Sequence, residues 1–398
     1  MQVGVFHPGT QHSRLTALAV QQLDRLGWYA TSIYPAGGLS ARTLPGRYRQ
    51  NGLNPSLVRT GGWHEWAERA AARAGFASLA QRLDAAGNRA FADNVLRWYR
   101  ADAPVALWGY NGSSERTFSH PAARGAPKIL DRTVADWRTW NRCYDRIAET
   151  HGDWLTAATP RAPQSLIDAE EREYDAADRI ACGSPEVAAS LARESKFEGI
   201  AAKTRVLPYC FDSAAFDPST PPVPASDNEP LKVLFVGQLS PRKGVQHVLE
   251  AAMLLSPTEV LVTLAGPLMI PRKISTKYED RVSYAGNVAR GDIPALMREH
   301  HVLVLPSYFE GSAITLLEAL ASGLAIIQTP QAGLGATEET GIVIPRPDTA
   351  LLAEAIVKLS ADRERLRTMR LAAQVEARRY SFGNYRAGIA SLLSEMGI

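Results

Sequence analysis

The stretch His301-Val302-Leu303-Val304-Leu305-Pro306-Ser307-Tyr308-Phe309-Glu310-Gly311-Ser312-Ala313-Ile314-Thr315-Leu316-Leu317-Glu318 decides the fold. Four apolar residues closed by a proline read as a buried strand. Glu310 then sits on a strand-to-helix turn. The small residues Gly311, Ser312 and Ala313 open a helix, and Glu318 lies on it. Bare amides at a helix N-terminus bind a phosphate or diphosphate, and small side chains let it approach the backbone. Two helical turns span roughly 11 Å. That exceeds the about 5–9.5 Å of a glycosidase carboxylate pair. The two glutamates therefore suit the two ends of a ligand whose middle is a diphosphate, such as a nucleotide-sugar.

Outward from this block the chain alternates strand and helix. Strands are expected at 3–6, 28–34, 104–108, 127–130, 179–182, 232–236, 260–265, 282–285, 302–305, 324–328 and 342–344. Helical patterns fill 15–26, 63–100, 244–255 and 293–299, and Ser184 with Pro185 forms an N-cap and first-turn pair. Strands alternating with helices imply parallel sheets. Pro218, Pro221, Pro222 and Pro224 make 217–230 an extended linker, after which the pattern restarts. The fold class is α/β, two Rossmann-like doubly wound domains facing a central cleft. Domain one covers 1–210, the Pro-rich hinge 211–230 and domain two 231–376, and a C-terminal helix, 377–398, returns to the first domain.

Composition bounds the function. The 398 residues, 45% apolar and 21% charged, suffice for two cores. Cys143, Cys182 and Cys210 are scattered, which implies neither a disulfide framework nor a zinc site. That cysteine pattern favours a reducing cytoplasm; no signal-peptide pattern is expected at the N-terminus, and no apolar run reaches the roughly 18 residues of a spanning helix. Lys and Arg number 26 against 21 Asp and Glu in residues 1–205, but 18 against 20 in the remainder. The excess is mainly arginine between Arg42 and Arg124, among Trp63, Trp66, Trp98 and Tyr99. Two readings fit: a peripheral contact with an anionic membrane or acceptor, or a solvated helix face. A nucleic-acid partner is not expected.

A second phosphate feature is Phe235-Val236-Gly237-Gln238-Leu239-Ser240-Pro241-Arg242-Lys243-Gly244, a strand, a loop and a helix start. Gly237 admits a ligand to the backbone, and Arg242 and Lys243 offer cations to a diphosphate. Ligands in open α/β sheets collect at the carboxyl ends of the strands, where this loop and the Glu310 turn both lie. An exposed turn with two solvated cations is the plainer alternative.

These residues resemble the GT-B glycosyltransferases of retaining family 4, over nearly the whole chain. FVGQLSPRKG is similar to that family's phosphate loop, and Glu310 and Glu318 have its E-x7-E spacing. The segment 178–184, the segment 206–212 with Phe216 and Pro218, and the last helix, 380–396, resemble its remaining landmarks. The resemblance implies a nucleotide-sugar donor (UDP- or GDP-sugar) and a glycan or lipid-linked glycan acceptor in cell-surface polysaccharide or lipopolysaccharide synthesis; no cofactor is expected, and with no acidic metal cluster visible in the sequence the chemistry is expected to be metal-independent. It implies that Glu318 holds the ribose, Glu310 the sugar hydroxyls, and backbone of Gly311, Ser312, Ala313, Ile314 and Thr315 the diphosphate. Lys243 and Arg242 would neutralise the leaving charge beside Gly237 and Gln238. Gly286, Asn287 and Val288 would meet the base through backbone groups.

Two departures stand out. Gln238 occupies the place of an arginine, and no histidine follows the strand 127–130. Asp131 or Thr133 fills that place. Asp131 is preferred as a catalytic carboxylate, with an N-cap role as the alternative. Gly9, Thr10, Tyr110 and Asn111 are acceptor-side candidates, though aromatics at strand ends as often pack. His120 and His151 read as structural or exposed. A nucleotide-sugar epimerase and a catalytically degenerate binding protein remain the alternatives.

Overall fold

The computed structural model describes residues 1–9, 12–32, 52–61, 77–102, 105–226 and 228–398. The first domain holds β1 (Gln2–Phe6), β2 (Leu26–Thr31), β3 (Val58–Thr60), β4 (Val105–Tyr110), β5 (Lys128–Arg132), β6 (Arg179–Cys182) and β7 (Thr204–Val206). The second holds β8 (Leu231–Val236), β9 (Val260–Ala265), β10 (Val282–Gly286), β11 (Val302–Leu305), β12 (Ala325–Gln328) and β13 (Gly341–Val343). The strand orders are β3-β2-β1-β4-β5-β6-β7 and β10-β9-β8-β11-β12-β13, with parallel pairing throughout. Both sheets reverse direction of growth at one place, β1/β4 and β8/β11. At such a switch point the loops leaving neighbouring strands open a crevice.

Among the described residues the helices of six or more residues are α1 (Ser13–Gln22), α2 (Ala77–Asp102), α3 (Trp137–His151), α4 (Gln164–Ala176), α5 (Pro185–Glu194), α6 (Val245–Leu254), α7 (Ile293–Arg298), α8 (Ile314–Ala321), α9 (Thr349–Ala361), α10 (Arg363–Ala377) and α11 (Phe382–Glu395). Among the described residues none is long and apolar enough to cross a membrane. Ser184 caps α5 by accepting the Val187 amide, with Pro185 at the first helical position.

Both faces of the first sheet are covered, so its strands alternate between two cores. Ala106, Trp108 and Tyr110 of β4 point to the core under α1 and α11, while Val105 and Leu107 point to the opposite one. The second domain has one continuous core, to which α8 contributes Leu316, Leu317, Ala319 and Leu320, all fully buried. Burying each leucine side chain is worth about 1.5–3 kcal/mol.

Three segments tie the halves together. The linker is strapped to the second domain rather than free: Phe211, Phe216 and Ala225 enter its core, and Arg370 donates to the Val223 carbonyl at 2.6 Å. Helix α11 returns to the first domain, where Tyr385, Ile389, Leu392 and Leu393 are core residues. Helix α3 begins in the first domain but packs Trp137 and Trp140 against Phe309 of the second, and Cys143 Sγ lies 3.4 Å from the Tyr308 carbonyl oxygen.

Candidate active site

The two loops at the β8/β11 switch point meet as the chain order requires. After Val236 the loop closes in a tight turn, Pro241–Lys243, and Gly244 adopts φ +76° before α6. A Cβ on Gly244 would stand 2.0 Å from the Pro306 carbonyl oxygen, so only glycine lets the β8 and β11 loops touch. That approach sets Lys243 Nζ 2.8 Å and Arg242 Nη1 3.1 Å from the same Glu310 oxygen, Oε1. Arg242 Nη1 also donates to the Phe309 carbonyl at 2.9 Å. Burial pushes the Glu310 carboxyl up, and the Lys243 and Arg242 charges together outweigh it and hold the group below its usual range. Glu310 is thus a permanent anion facing two cations.

Glu318 lies two turns further on. It is 5% exposed, and burial raises its carboxyl against the opposing pull of Arg290. Arg290 Nη2 reaches Glu318 Oε1 at 3.1 Å from a side chain 61% exposed. The apolar neighbours of Glu318 signalled in the sequence that it needs a partner. Arg290, in an exposed loop after β10, gave no such signal. Gly286, the last residue of β10, and Asn287 after it are exposed, and Val288 packs on the second domain's core.

The start of α8 departs from expectation. The helix begins at Ile314, not Gly311, and the Ala313 amide already donates to the Ala332 carbonyl at 3.1 Å. Gly311 is small for a reason other than phosphate approach. A Cβ there would stand 1.8 Å from the Thr133 carbonyl oxygen of the first domain. Val134 and Gly311 form an antiparallel bridge, the Ala135 amide donates to the Glu310 carbonyl at 3.1 Å, and the Ser184 hydroxyl donates to the Gly311 carbonyl at 2.6 Å. Ile314 packs on the first domain's core. Ser312 is 9% exposed, its hydroxyl without a hydrogen-bond partner, and Thr315 is half-buried. Gln238 is exposed.

On the first-domain side the strand ends are polar but closed. Asp131, at the end of β5, is 1% exposed and accepts from Trp108 Nε1 at 3.2 Å and from the Tyr209 hydroxyl at 2.6 Å. Burial pushes its carboxyl up to about 6, against those donors. With both oxygens bonded it offers a substrate no open face, which revises its expected catalytic role to one of positioning Tyr209. Thr133 donates through its amide and hydroxyl to Asn111 Oδ1, both at 2.9 Å, so Asn111 braces the loop that meets Gly311. Tyr110 is likewise corrected from acceptor-side residue to core. It is fully buried, and its hydroxyl is 2.6 Å from Thr16 Oγ1, which also meets the Tyr385 hydroxyl at 2.7 Å.

Gly9 closes the turn after β1, its amide donating to His7 Nδ1 at 2.9 Å, while Thr10 lies outside the described residues, as do Arg42, Trp63 and Trp66. Two histidines missed in the sequence stand here. Burial lowers both His7 and His12 to about 4, so both are neutral at pH 7. His12 stacks on Tyr209 at 4.1 Å and 22° and feels the Arg290 charge across the domain junction. Of the two histidines read as structural, His120 Nδ1 accepts the Ala122 amide and His151 Nε2 meets Glu250 at 2.9 Å.

Residues 230–362 match the family model described as "Glycosyl transferases group 1". The chain is 29% identical over 183 residues to an alpha-D-kanosaminyltransferase of Streptomyces kanamyceticus, covering 43% of this chain and 47% of that one. It is 35% identical over 103 residues, 25% of this chain and 27% of the other, to the N,N'-diacetylbacillosaminyl-diphospho-undecaprenol alpha-1,3-N-acetylgalactosaminyltransferase of Campylobacter jejuni. The chain spans about half the length of the curated relatives it matches first. Among solved structures, Anabaena Alr3699/HepE in complex with UDP superposes with a TM-score of 0.64 at 18% identity, over 99% of this chain and 100% of that one, a likeness of fold. Residues 230–362, which carry the lysine-bearing loop and the carboxylate-bearing helix, thus match the glycosyl transferases group 1 family, on a chain whose two parallel doubly wound domains have GT-B architecture.

Proposed function

We propose that this protein transfers a sugar from a nucleoside-diphosphate donor, a UDP- or GDP-sugar, to a hydroxyl of a glycan or lipid-linked glycan. Transfer retains the anomeric configuration, as in glycosyltransferase family 4, and needs no metal cofactor. The observation that carries this reading is the pair of buried carboxylates Glu310 and Glu318 on one turn-and-helix, the first set against Lys243 and Arg242. A buried carboxylate needs dedicated donors, and ribose and sugar hydroxyls are such donors. Glu318 takes the ribose and Glu310 the transferred sugar, while Gly286, Asn287 and Val288 meet the base.

A diphosphate entering beside Gly237 draws Lys243 and Arg242 from Glu310, whose place the sugar hydroxyls fill. These cations, with the amides of Ser312, Ile314 and Thr315, then stabilise charge that develops on the leaving phosphate oxygen. The bond from the anomeric carbon to that oxygen breaks, the acceptor oxygen bonds to the same face, and its proton passes to the departing diphosphate. Asp131 acts through Tyr209, on which His12 stacks at the junction. Closure of the domains excludes water.

The undecaprenol-diphosphate in the Campylobacter relative's name supports a lipid-linked acceptor, and the UDP of the Anabaena structure supports a uridine donor. The arginine excess of the first domain fits peripheral contact with an anionic membrane on its cytoplasmic face. Gln238 and the closed Asp131 favour a second reading, a sugar-nucleotide-binding protein without turnover. Purified protein incubated with UDP-, GDP- and ADP-sugars and an undecaprenol-diphosphate glycan separates the two. Release of one nucleoside diphosphate, with an α-linked product from an α-donor, supports transfer. Binding without release supports the second reading, and exchange at the donor sugar's own carbons would indicate an epimerase.

A further inference from the structure

On the donor side of the junction three cations are set against Glu310 and Glu318. Lys243 and Arg242 have side chains 11% and 20% exposed and converge on Glu310, whereas Arg290 is 61% exposed and holds Glu318 by one contact of 3.1 Å. Arg290 is thus the most exposed of the three cations and the one whose own side chain loses least burial by moving. It is also the partner that keeps the Glu318 carboxylate from standing buried and alone, an arrangement that is strongly unfavourable. Glu318 can exchange it only for another donor. The phosphate loop, meanwhile, carries the neutral, exposed Gln238.

We infer that Arg290 is a displaceable latch: it occupies the Glu318 carboxylate when no nucleotide is bound, and on release by the ribose hydroxyls it moves onto the diphosphate. The inference rests on the donor-site reading above. It gives the arginine two opposed effects. Arg290 competes with the nucleoside moiety for Glu318, and it attracts the phosphates once displaced. A nucleoside without phosphates feels only the competition, while a nucleoside diphosphate feels both. The latch therefore makes the site reject nucleosides and accept diphosphates, a selectivity that Lys243 and Arg242 alone would give less sharply.

The test is titration calorimetry of the wild type, Arg290→Gln and Arg290→Lys with UDP, GDP and ADP and with uridine, guanosine and adenosine. For the base that binds, Arg290→Gln should tighten the nucleoside several-fold and weaken the diphosphate several-fold. The ratio of the two dissociation constants should then fall by about tenfold or more, each tenfold being 1.4 kcal/mol. Arg290→Lys, which keeps the charge, should keep most of the ratio. A ratio unchanged in Arg290→Gln, with wild-type binding intact, overturns the latch and leaves the donor site standing. Absence of binding of every nucleoside diphosphate to the wild type overturns the donor site and the latch with it. Because Arg290 is exposed, the variants should fold, which circular dichroism checks.

Discussion

The strand ends at the two switch points are built on opposite principles. At β8/β11 the side chains are ions: Lys243 and Arg242 against Glu310, and Glu318 against Arg290, which reaches in from the loop after β10. At β1/β4 and the neighbouring β5 the polar groups are buried and bonded to one another: hydroxyls and rings of Tyr110, Thr16, Tyr385, Tyr209 and Trp108 around Asp131, and the ion pair of Arg132 with Glu170 beside them. Ion pairs at a partly open cleft can exchange partners with a charged ligand. A fully bonded buried network cannot exchange them without a desolvation penalty. One domain is thus equipped to receive charge, and the other to present a rigid surface to it.

The largest effects should come from removing the exchangeable ions. Lys243→Ala and Glu318→Ala should each lower donor turnover by about 10²-fold or more, the scale of losing one group that stabilises developing charge, as read from initial rates. Comparable losses from Tyr110→Phe, a core hydroxyl, would break the comparison.

Next comes the junction. Gly311→Ala sets a Cβ against the Thr133 carbonyl at 1.8 Å, so the two backbones must part. Turnover should fall by about tenfold through lost alignment, while the second domain's own fold, monitored by its far-UV signal, survives. Normal turnover would mean that the bridge between Val134 and Gly311 does not set the working geometry.

The closed carboxylate gives a pH effect of known sign. Asp131 sits at about 6 in the fold, against roughly 3.9 in the unfolded chain. The folded state favours the protonated form. Stability from this group is therefore fully present below about pH 4 and is lost as pH rises through 6, a change of about 3 kcal/mol. Asp131→Asn should remove that slope from denaturation midpoints taken across pH 4–6, relative to the wild type. His7 and His12, lowered to about 4, act in the opposite sense in both proteins, so the difference between them isolates Asp131. The smallest effect is expected from Tyr385→Phe, about 1 kcal/mol for one hydroxyl bonded to Thr16, measured by chemical denaturation.

Much of this arrangement was legible from residue order. Strands such as Arg179–Cys182, Val260–Ala265 and Val302–Leu305 are apolar runs with clear stops, and their bounds follow from composition alone. Glu310, Lys243 and Glu318 were legible because a carboxylate or cation among apolar or glycine-rich neighbours needs a reason. The contacts that cross the chain were not. Arg290 gives no local sign that it faces Glu318, 28 residues away. Tyr209 stood within a recognisable segment, yet its bond to Asp131, 78 residues distant, depends on how the strands stack. Gly311 has two sufficient reasons to be glycine, a phosphate or a neighbouring backbone, and only the packed domains distinguish them.

The central claim, that the ionic strand ends form a nucleotide-sugar donor site, is tested most directly by a thermal-shift panel. The wild type and Glu318→Ala are melted with UDP, GDP, ADP and their sugar conjugates. A ligand bound at 100 times its dissociation constant adds about 2.7 kcal/mol to stability. A rise in melting temperature with one base, lost in Glu318→Ala, is the predicted result. An equal rise in both proteins, or no rise with any nucleotide, would contradict the claim.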